Sequence, residues 1–273
     1  MPTTLKRLAL IAYLIIATAA SSPEDRQQFI LKQPSTSTIP PCATPTTSSQ
    51  ELKQLLMLAP SEVDREAILL PNPPNACNIT FQFVNTTHVP PTGGEIVLAG
   101  VDNFPALIGT QVSAAIGFVD ACGLNVPHSH PRANEFLTVV QGQLIGGLVL
   151  ESVPALTGRV NDSVPNPTVP EPVVMANLTQ YTGMLFPQGE VHFQFNPTCE
   201  PAVFAAAFDN EDAGRVQIAN TFFSIRDDDV LSAALGYPES LDARQIGRLR
   251  GHIPDSFAEL MESCAKRCHI PSS

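Results

Sequence analysis

Lysine is scarce in this chain. Only Lys6, Lys32, Lys53 and Lys266 occur, and 15 lysines and arginines face 26 acidic residues, for a formal net charge of −11. Phosphate backbones are bound by clustered Lys and Arg, so nucleic acid is excluded as a partner. Charge of either sign is thin, at 15% of residues against 44% hydrophobic ones. Such a composition describes a folded core and not a disordered chain. Beyond the first twenty residues no apolar run is long enough to span a bilayer. No Gly-x-Ser-x-Gly turn and no phosphate-cradling glycine loop is present, which leaves serine-hydrolase and nucleotide chemistry without support.

What is present at the N-terminus reads as a signal peptide over residues 1–20. Lys6 and Arg7 form a short basic region, Leu8 to Ala17 an apolar run, and Ala17-Thr18-Ala19 a small-residue cleavage site. Glycosylation acceptor patterns begin at Asn78, Asn85, Asn161 and Asn177. Cysteines stand at 42, 77, 122, 199, 264 and 268. An oxidising compartment turns such cysteines into disulfides, and only Cys264 and Cys268 are close in sequence, too few ligands for a thiolate zinc site. The expected product is a secreted, disulfide-bonded glycoprotein, extracellular or wall-associated, with no membrane contact once the signal is removed.

Residues 21–77 read as a Ser/Thr/Pro-rich arm carrying short helices. Ser48 with Glu51 forms a capping box for the first helix, and residues 61–69 make a second. From residue 78 to 225 the pattern changes to short β-rich runs broken by Gly, Pro and Asn. Strands are expected at 81–84, 95–98, 111–119, 135–140, 143–150, 184–186, 191–195 and 202–208, with a long surface loop over 151–171. Many short strands without alternating helices argue for a mainly β fold, an antiparallel sandwich or closed barrel. Residues 226–273 read as a helical segment, with helices near 230–235, 242–249 and 255–266.

Two segments carry chemistry. In the first, His128-Ser-His130 is followed by Glu135 and Gly142. Residues two apart on a strand share a face, so His128 and His130 can aim both imidazoles at one point. A turn then returns Glu135 to the same place. In the second, Pro187-Gln-Gly189 makes a tight turn before His192, and Gln194 shares the face of His192. His128, His130, Glu135 and His192 together form an imidazole and carboxylate donor set suited to Mn, Fe, Ni, Co or Zn. His88, His252 and His269 lie beside turns or near the C-terminus and read as bystanders.

These segments resemble the paired motifs of the cupin superfamily, and most closely those of germin-like and spherulin-type cupins. His-x-His-x4-Glu-x6-Gly is complete at 128–142, and Pro-x-Gly-x2-His-x3-Asn at 187–196. The resemblance implies a jelly-roll β-barrel holding Mn(II) and assembling as a homo-oligomer through barrel edges and terminal helices. It implies oxidase or superoxide dismutase activity on a small anionic or oxygen-derived substrate, with Asn125 or Gln194 orienting it. Two positions depart from the pattern. Tyr181 stands where the family has glycine, six residues before Pro187. Asn125 matches one of the two asparagines of the oxalate-oxidising members, but the other, ten residues upstream, falls on Ala115. That loss weakens the case for oxalate oxidation and hurts superoxide dismutation less.

The competing reading is a non-catalytic, glycosylated wall or matrix protein with a structural metal or small-ligand site. If the motif strands converge on one ion, their flanks converge as well. A Cys122–Cys199 disulfide is therefore expected, with Cys42, Cys77, Cys264 and Cys268 tying the arm to the terminal helices.

Overall fold

The structure of the protein is a computed structural model that describes residues 49–70, 76–83, 93–151, 173–236, 243–250, 252–253, 257–258 and 262–270. All of these belong to one compact unit, 42–273. The signal peptide, the arm up to residue 48, Cys42, His88, Asn85, Asn161 and the loop over 152–171 lie outside the described residues.

Among the described residues two short helices come first, α1 (Ser49–Leu58) and α2 (Glu62–Leu69). Ser61 caps α2, its Oγ accepting from Asp64 N at 3.3 Å. Leu52, Leu56 and Leu69 give this pair a small core of its own.

The rest is built on two antiparallel sheets. One has five strands in the order β1-β2-β9-β4-β7: β1 (Gly94–Ala99), β2 (Ser113–Val119), β9 (Ala202–Phe208), β4 (Glu135–Gln141) and β7 (Gly183–Phe186). The other has six, in the order β10-β3-β8-β5-β6 with β11 also on β3: β10 (Val216–Gln217), β3 (Leu124–Ser129), β8 (Val191–Phe195), β5 (Gln143–Val149), β6 (Val173–Thr179) and β11 (Phe257–Ala258). Alternate residues of β2 and β9 turn inward, as the period of two requires. Leu137, Phe186 and Phe204 of the first sheet meet Leu144, Leu178 and Phe257 of the second in one core. The fold is a mainly β, two-sheet jelly roll.

The strands expected between 95 and 208 fall close to their places; β6 is not among them, and β3 ends at Ser129, just short of His130. Residues 81–83 do not form a strand. Phe81 instead packs its ring against Phe83 and Phe104, with centroids 5.0 and 5.4 Å apart. Among the described residues four helices follow β9: α3 (Ile218–Phe223), α4 (Asp228–Ala234), α5 (Ala243–Arg250) and α6 (Glu262–Arg267). Asp227 caps α4, accepting from Asp229 N and Val230 N. The expected helix over 255–266 is split, because Phe257 and Ala258 pair with Asn125 and Leu124 of β3. A strand edge with free backbone donors outcompetes the local helical preference there.

The expected Cys122–Cys199 bond is not formed. Cys122 is bonded to Cys264 and Cys199 to Cys268. The flanks do converge: Cys122 N donates to Thr198 O at 3.2 Å, and Cys122 Sγ lies 3.6 Å from Cys268 Sγ. What spacing along the strands could not show is that α6 enters this corner. Residues four apart share a helix face, so Cys264 and Cys268 both reach it, and each motif strand is stapled to the helix and not to the other. Cys77 is disulfide-bonded as well. Among the acceptor asparagines, Asn177 is exposed on β6, whereas Asn78 spends its amide on Leu69 O at 3.0 Å.

Two glycines are required by geometry. Gly142, at φ 76°, reverses the chain between β4 and β5, and a Cβ there would sit 3.1 Å from Ala202 Cα. At Gly123 a Cβ would lie 2.1 Å from Gly93 O, while Gly123 O accepts from Asn196 N at 2.9 Å. Gly123→Ala is therefore expected to destabilise the barrel by about 2–3 kcal/mol, read as a lower thermal midpoint. An unchanged midpoint would mean that the entry to β3 yields without strain.

Candidate metal centre

The site grows from the pairing of β3 with β8. His128 lies opposite His192 and Asn125 opposite Gln194, with a register irregularity between Asn125 and His128. Val126 and Pro127 of β3 thus oppose the single residue Phe193 of β8, which is a bulge. Pro127 sits in it, exposed, where a missing N–H removes no ladder bond. The extra residue reverses the strand's parity, so Asn125 and His128, three apart, both point inward. Asn125 is fully buried, and His128 is 2% exposed.

The turn after His130 is pinned on three sides. Asn134 N and Nδ2 donate to the two oxygens of Asp209, at 2.8 and 2.6 Å, and Asn134 Oδ1 accepts from Gln188 N at 3.0 Å. Arg132 pairs with Asp212 at 2.7 Å. Gly189 N donates to His130 O at 2.9 Å, joining the second motif's turn to the first motif's histidine. With the turn fixed, Glu135 opens β4 inside the barrel.

All four sequence-predicted donors come together, with their ligand atoms within 4.8 Å of one another and all four side chains buried. Nδ1 of His128 donates to Val126 O at 2.8 Å, that of His130 to Gly214 O at 2.6 Å and that of His192 to Glu190 O at 2.9 Å. A carbonyl only accepts, so each Nδ1 carries the proton and each neutral ring keeps its lone pair on Nε2. Nε2 of His130 and Nε2 of His192 each lie 3.0 Å from the same oxygen, Glu135 Oε2. His130 Nε2 has no hydrogen-bond partner. Lone pairs aimed at a carboxylate repel it unless a cation lies between them. The donor set therefore fits a metal ion.

Electrostatics point the same way. Burial, together with the charges of Arg215 and His192, holds His128 well below the ordinary imidazole range against the opposing pull of Glu135. The neutral, ligating form is favoured. Burial alone would raise the Glu135 carboxyl, but hydrogen bonds and positive charge from protonated His130 and His192 would outweigh it and bring it down to about 2, and a cation among neutral rings would act in the same sense. Phe186 stacks on His192 at 4.4 Å, and Phe208 packs on His130 at 4.7 Å, so two aromatic walls keep water from the donors.

A profile of the Cupin family matches residues 83–240. The chain belongs to the cupin family. This cupin is 36% identical to spherulin-1A of Physarum polycephalum over 225 residues, covering 81% of this chain and 80% of that one. It is 32% identical to spherulin-1B of the same organism, covering 83% and 81%. Germin-like protein 8-5 of Oryza sativa subsp. japonica is 36% identical over 146 residues, or 52% of this cupin and 58% of the relative. Among solved structures, an oxalate oxidase in complex with the substrate analogue glycolate superposes with a TM-score of 0.51 at 23% identity, covering 64% of this cupin and 80% of that chain. That superposition shows the shared fold.

Other sequence expectations settle here. Tyr181, which replaces the family's glycine, adopts φ 65° and is exposed, so the backbone keeps the left-handed turn and no ligand is disturbed. His252 and His269 are exposed and stand outside the cluster. Cys122, Cys264 and Cys268 also group closely, but their sulfurs are engaged in disulfides. Asn196, which closes the second motif, is fully buried and donates to Val119 O, Asp120 O and Glu200 O, so it ties the turn after β2 to the turn after β8. Asn125 and Gln194 meet: Asn125 Nδ2 donates to Gln194 Oε1 at 2.6 Å. The residue that the sequence did not reveal is Arg215, whose Nη2 donates to Asn125 Oδ1 at 2.5 Å. Burial lowers its guanidinium to about 10 while Glu135 opposes the shift, so it is charged at neutral pH. No motif surrounds it; an arginine three residues before a helix carries no signal of its own.

Proposed function

We propose that this cupin is a secreted glycoprotein that holds one Mn(II) on His128, His130, Glu135 and His192 and acts as an oxidoreductase on a small oxygen-derived or anionic substrate, with superoxide dismutation its main reaction. The carrying observation is a buried cluster in which three imidazoles, each with its Nδ1 bonded to a backbone carbonyl, gather around one carboxylate. A bound ion supplies one-electron redox chemistry and open positions for an oxygen-bearing substrate. Four protein ligands leave up to two such positions on a six-coordinate ion. The backbone carbonyls hold each imidazole in its ligating tautomer, Glu135 offsets one positive charge, and Phe186 and Phe208 exclude water.

Dismutation converts two superoxide ions and two protons into dioxygen and hydrogen peroxide, one superoxide being oxidised and the other reduced. It asks little of the protein beyond an accessible redox metal. Oxalate oxidation asks for more, and Ala115, at 2% exposure within the apolar core, offers a ligand nothing polar. Export is supported by the N-terminal segment and by the disulfides, and Asn177 is the accessible acceptor among the described asparagines. Among the described residues, no helix is long and apolar enough to cross a membrane.

The test is elemental analysis of native protein coupled to superoxide and oxalate assays on the same sample. Roughly one manganese per chain, measurable dismutation and slow oxalate turnover are expected. Full loading with no activity in either assay would replace this reading with that of a non-catalytic matrix protein.

A further inference from the structure

β6 is the last strand of its sheet. Among the described residues it pairs with β5 along one side and with no strand along the other. Its sequence, Val173-Val-Met-Ala-Asn-Leu-Thr179, holds no charged residue, no proline and no glycine. Its register against β5 runs the full length of the strand without a bulge. Val174 is 45% exposed and Met175 57%. An open edge of this composition is a template for pairing with another chain. Proteins blunt such edges with charge, proline, a bulge or a cover, and only a cover is left to β6.

That cover is encoded in the strand itself. Asn177-Leu178-Thr179 is a glycosylation acceptor pattern. Leu178 and Leu144 lie opposite each other and both point into the core. Asn177 and Met175 therefore face outward, on the same side as Gln143 and Ile145 of β5. Asn177 Oδ1 accepts from Gln143 Nε2 at 2.6 Å. The bond fixes the amide and leaves its nitrogen, the atom that carries an N-linked sugar, on the side away from Gln143. Attachment there keeps the oxygen free to hold Gln143. Asn78 is the opposite case: it is half-buried, and its amide nitrogen already donates to Leu69 O, a bond with which a sugar would compete.

We propose that an N-linked glycan on Asn177 covers the open edge at β6, with Val174 and Met175 beside it, and keeps this edge from pairing with a second chain. The inference rests on the reading of the protein as an exported glycoprotein. In the attachment step Asn177 Nδ2 forms a bond to the anomeric carbon of an oligosaccharide carried on a lipid pyrophosphate. The bond from that carbon to the pyrophosphate breaks, and the nitrogen gives up one proton. A further strand would have to lie about 4.8 Å from β6, and a hydrated oligosaccharide rooted in the middle of the strand sweeps that space.

The full chain is produced in a glycosylating eukaryotic host, and the exported protein is mapped by mass spectrometry of its glycopeptides. Asn177 is expected to carry glycan. Thr179→Val removes the acceptor pattern while keeping Asn177, its bond to Gln143 and a β-branched residue, whereas Thr179→Ser retains the pattern. Sedimentation at matched concentrations reads self-association. Thr179→Val is expected to associate roughly tenfold or more tightly than the wild type, and Thr179→Ser to match it. Asn177→Gln serves where Thr179→Val does not fold. Adding Met175→Lys to either variant should restore the wild-type behaviour, because a charge at the edge replaces the cover. A glycosylated wild type that is bare at Asn177 overturns the proposal, as does unchanged association in the glycan-free variants or association that Met175→Lys does not reverse. A wild type that is not exported, or is exported with no glycan at any asparagine, overturns the exported-glycoprotein reading and this inference with it.

Discussion

His130→Ala is expected to lose most of its metal while remaining folded. One of four donors disappears, and even outer hydrogen-bond partners of metal ligands are worth 10- to 100-fold in affinity, so a drop of at least roughly 100-fold is expected. The fold should tolerate the change because His130 lies at the rim of the core, against Phe208, and Gly214 O loses one donor at a cost of about 1 kcal/mol. Stability then provides a second readout. Metal held at about 100 times its Kd stabilises the native state by about 2.7 kcal/mol, roughly 5–10 °C in the thermal midpoint of a domain this size. Chelation should lower the wild-type midpoint by that amount and leave His130→Ala unmoved. Full metal occupancy in the variant would sink the ligand assignment.

Opening the Cys122–Cys264 bond is expected to have the largest effect on stability. The two residues are 142 positions apart, and the loop-closure entropy of so long a loop corresponds to about 5 kcal/mol. Cys199–Cys268 remains and shortens the loop that is freed, so the Cys122→Ala/Cys264→Ala protein should lose about 4 kcal/mol. Denaturant unfolding measures it as a shift in midpoint at constant slope. A midpoint equal to that of the wild type would show that the second bond holds the corner alone. Retention of metal should also fall, because β11 and α6 brace the strand that carries Asn125 and His128.

What the sequence made legible was local. The meeting of His128 and His130, the glycine turn at 142 and the Pro187–Gly189 turn before His192 each follow from rules spanning a few residues, although His130 lies just past the end of β3 and not on it, and all four donors come together. Strands with clear alternation, such as β2 and β9, were equally open to reading. The relations that stayed hidden join distant parts of the chain. Cys122 and Cys199 do approach, but the pairing was decided by α6, whose place in space no periodicity encodes. β11 is two residues long, and its identity as a strand comes from β3 alone. Arg215 belongs to the same class: nothing beside it in sequence points to Asn125, 90 residues away. The bulge at Pro127 was hidden for another reason, since a single inserted residue reverses parity without altering composition.

The pairing of Phe257 with Asn125 also sets an order of events during synthesis. The chain is made from its N-terminus, and Cys264 is added 142 residues after Cys122, roughly ten to thirty seconds later at ordinary elongation rates. Throughout that interval β3 has one edge without its β11 partner, and Cys122 is a thiol awaiting a partner not yet translated. Cys199 emerges first and lies in the same corner, so it is the partner within reach of a premature oxidation. Correct maturation therefore requires either that oxidation be delayed until release or that a disulfide isomerase revisit this corner. Yield in an oxidising host should accordingly depend on isomerase supply more than on metal supply.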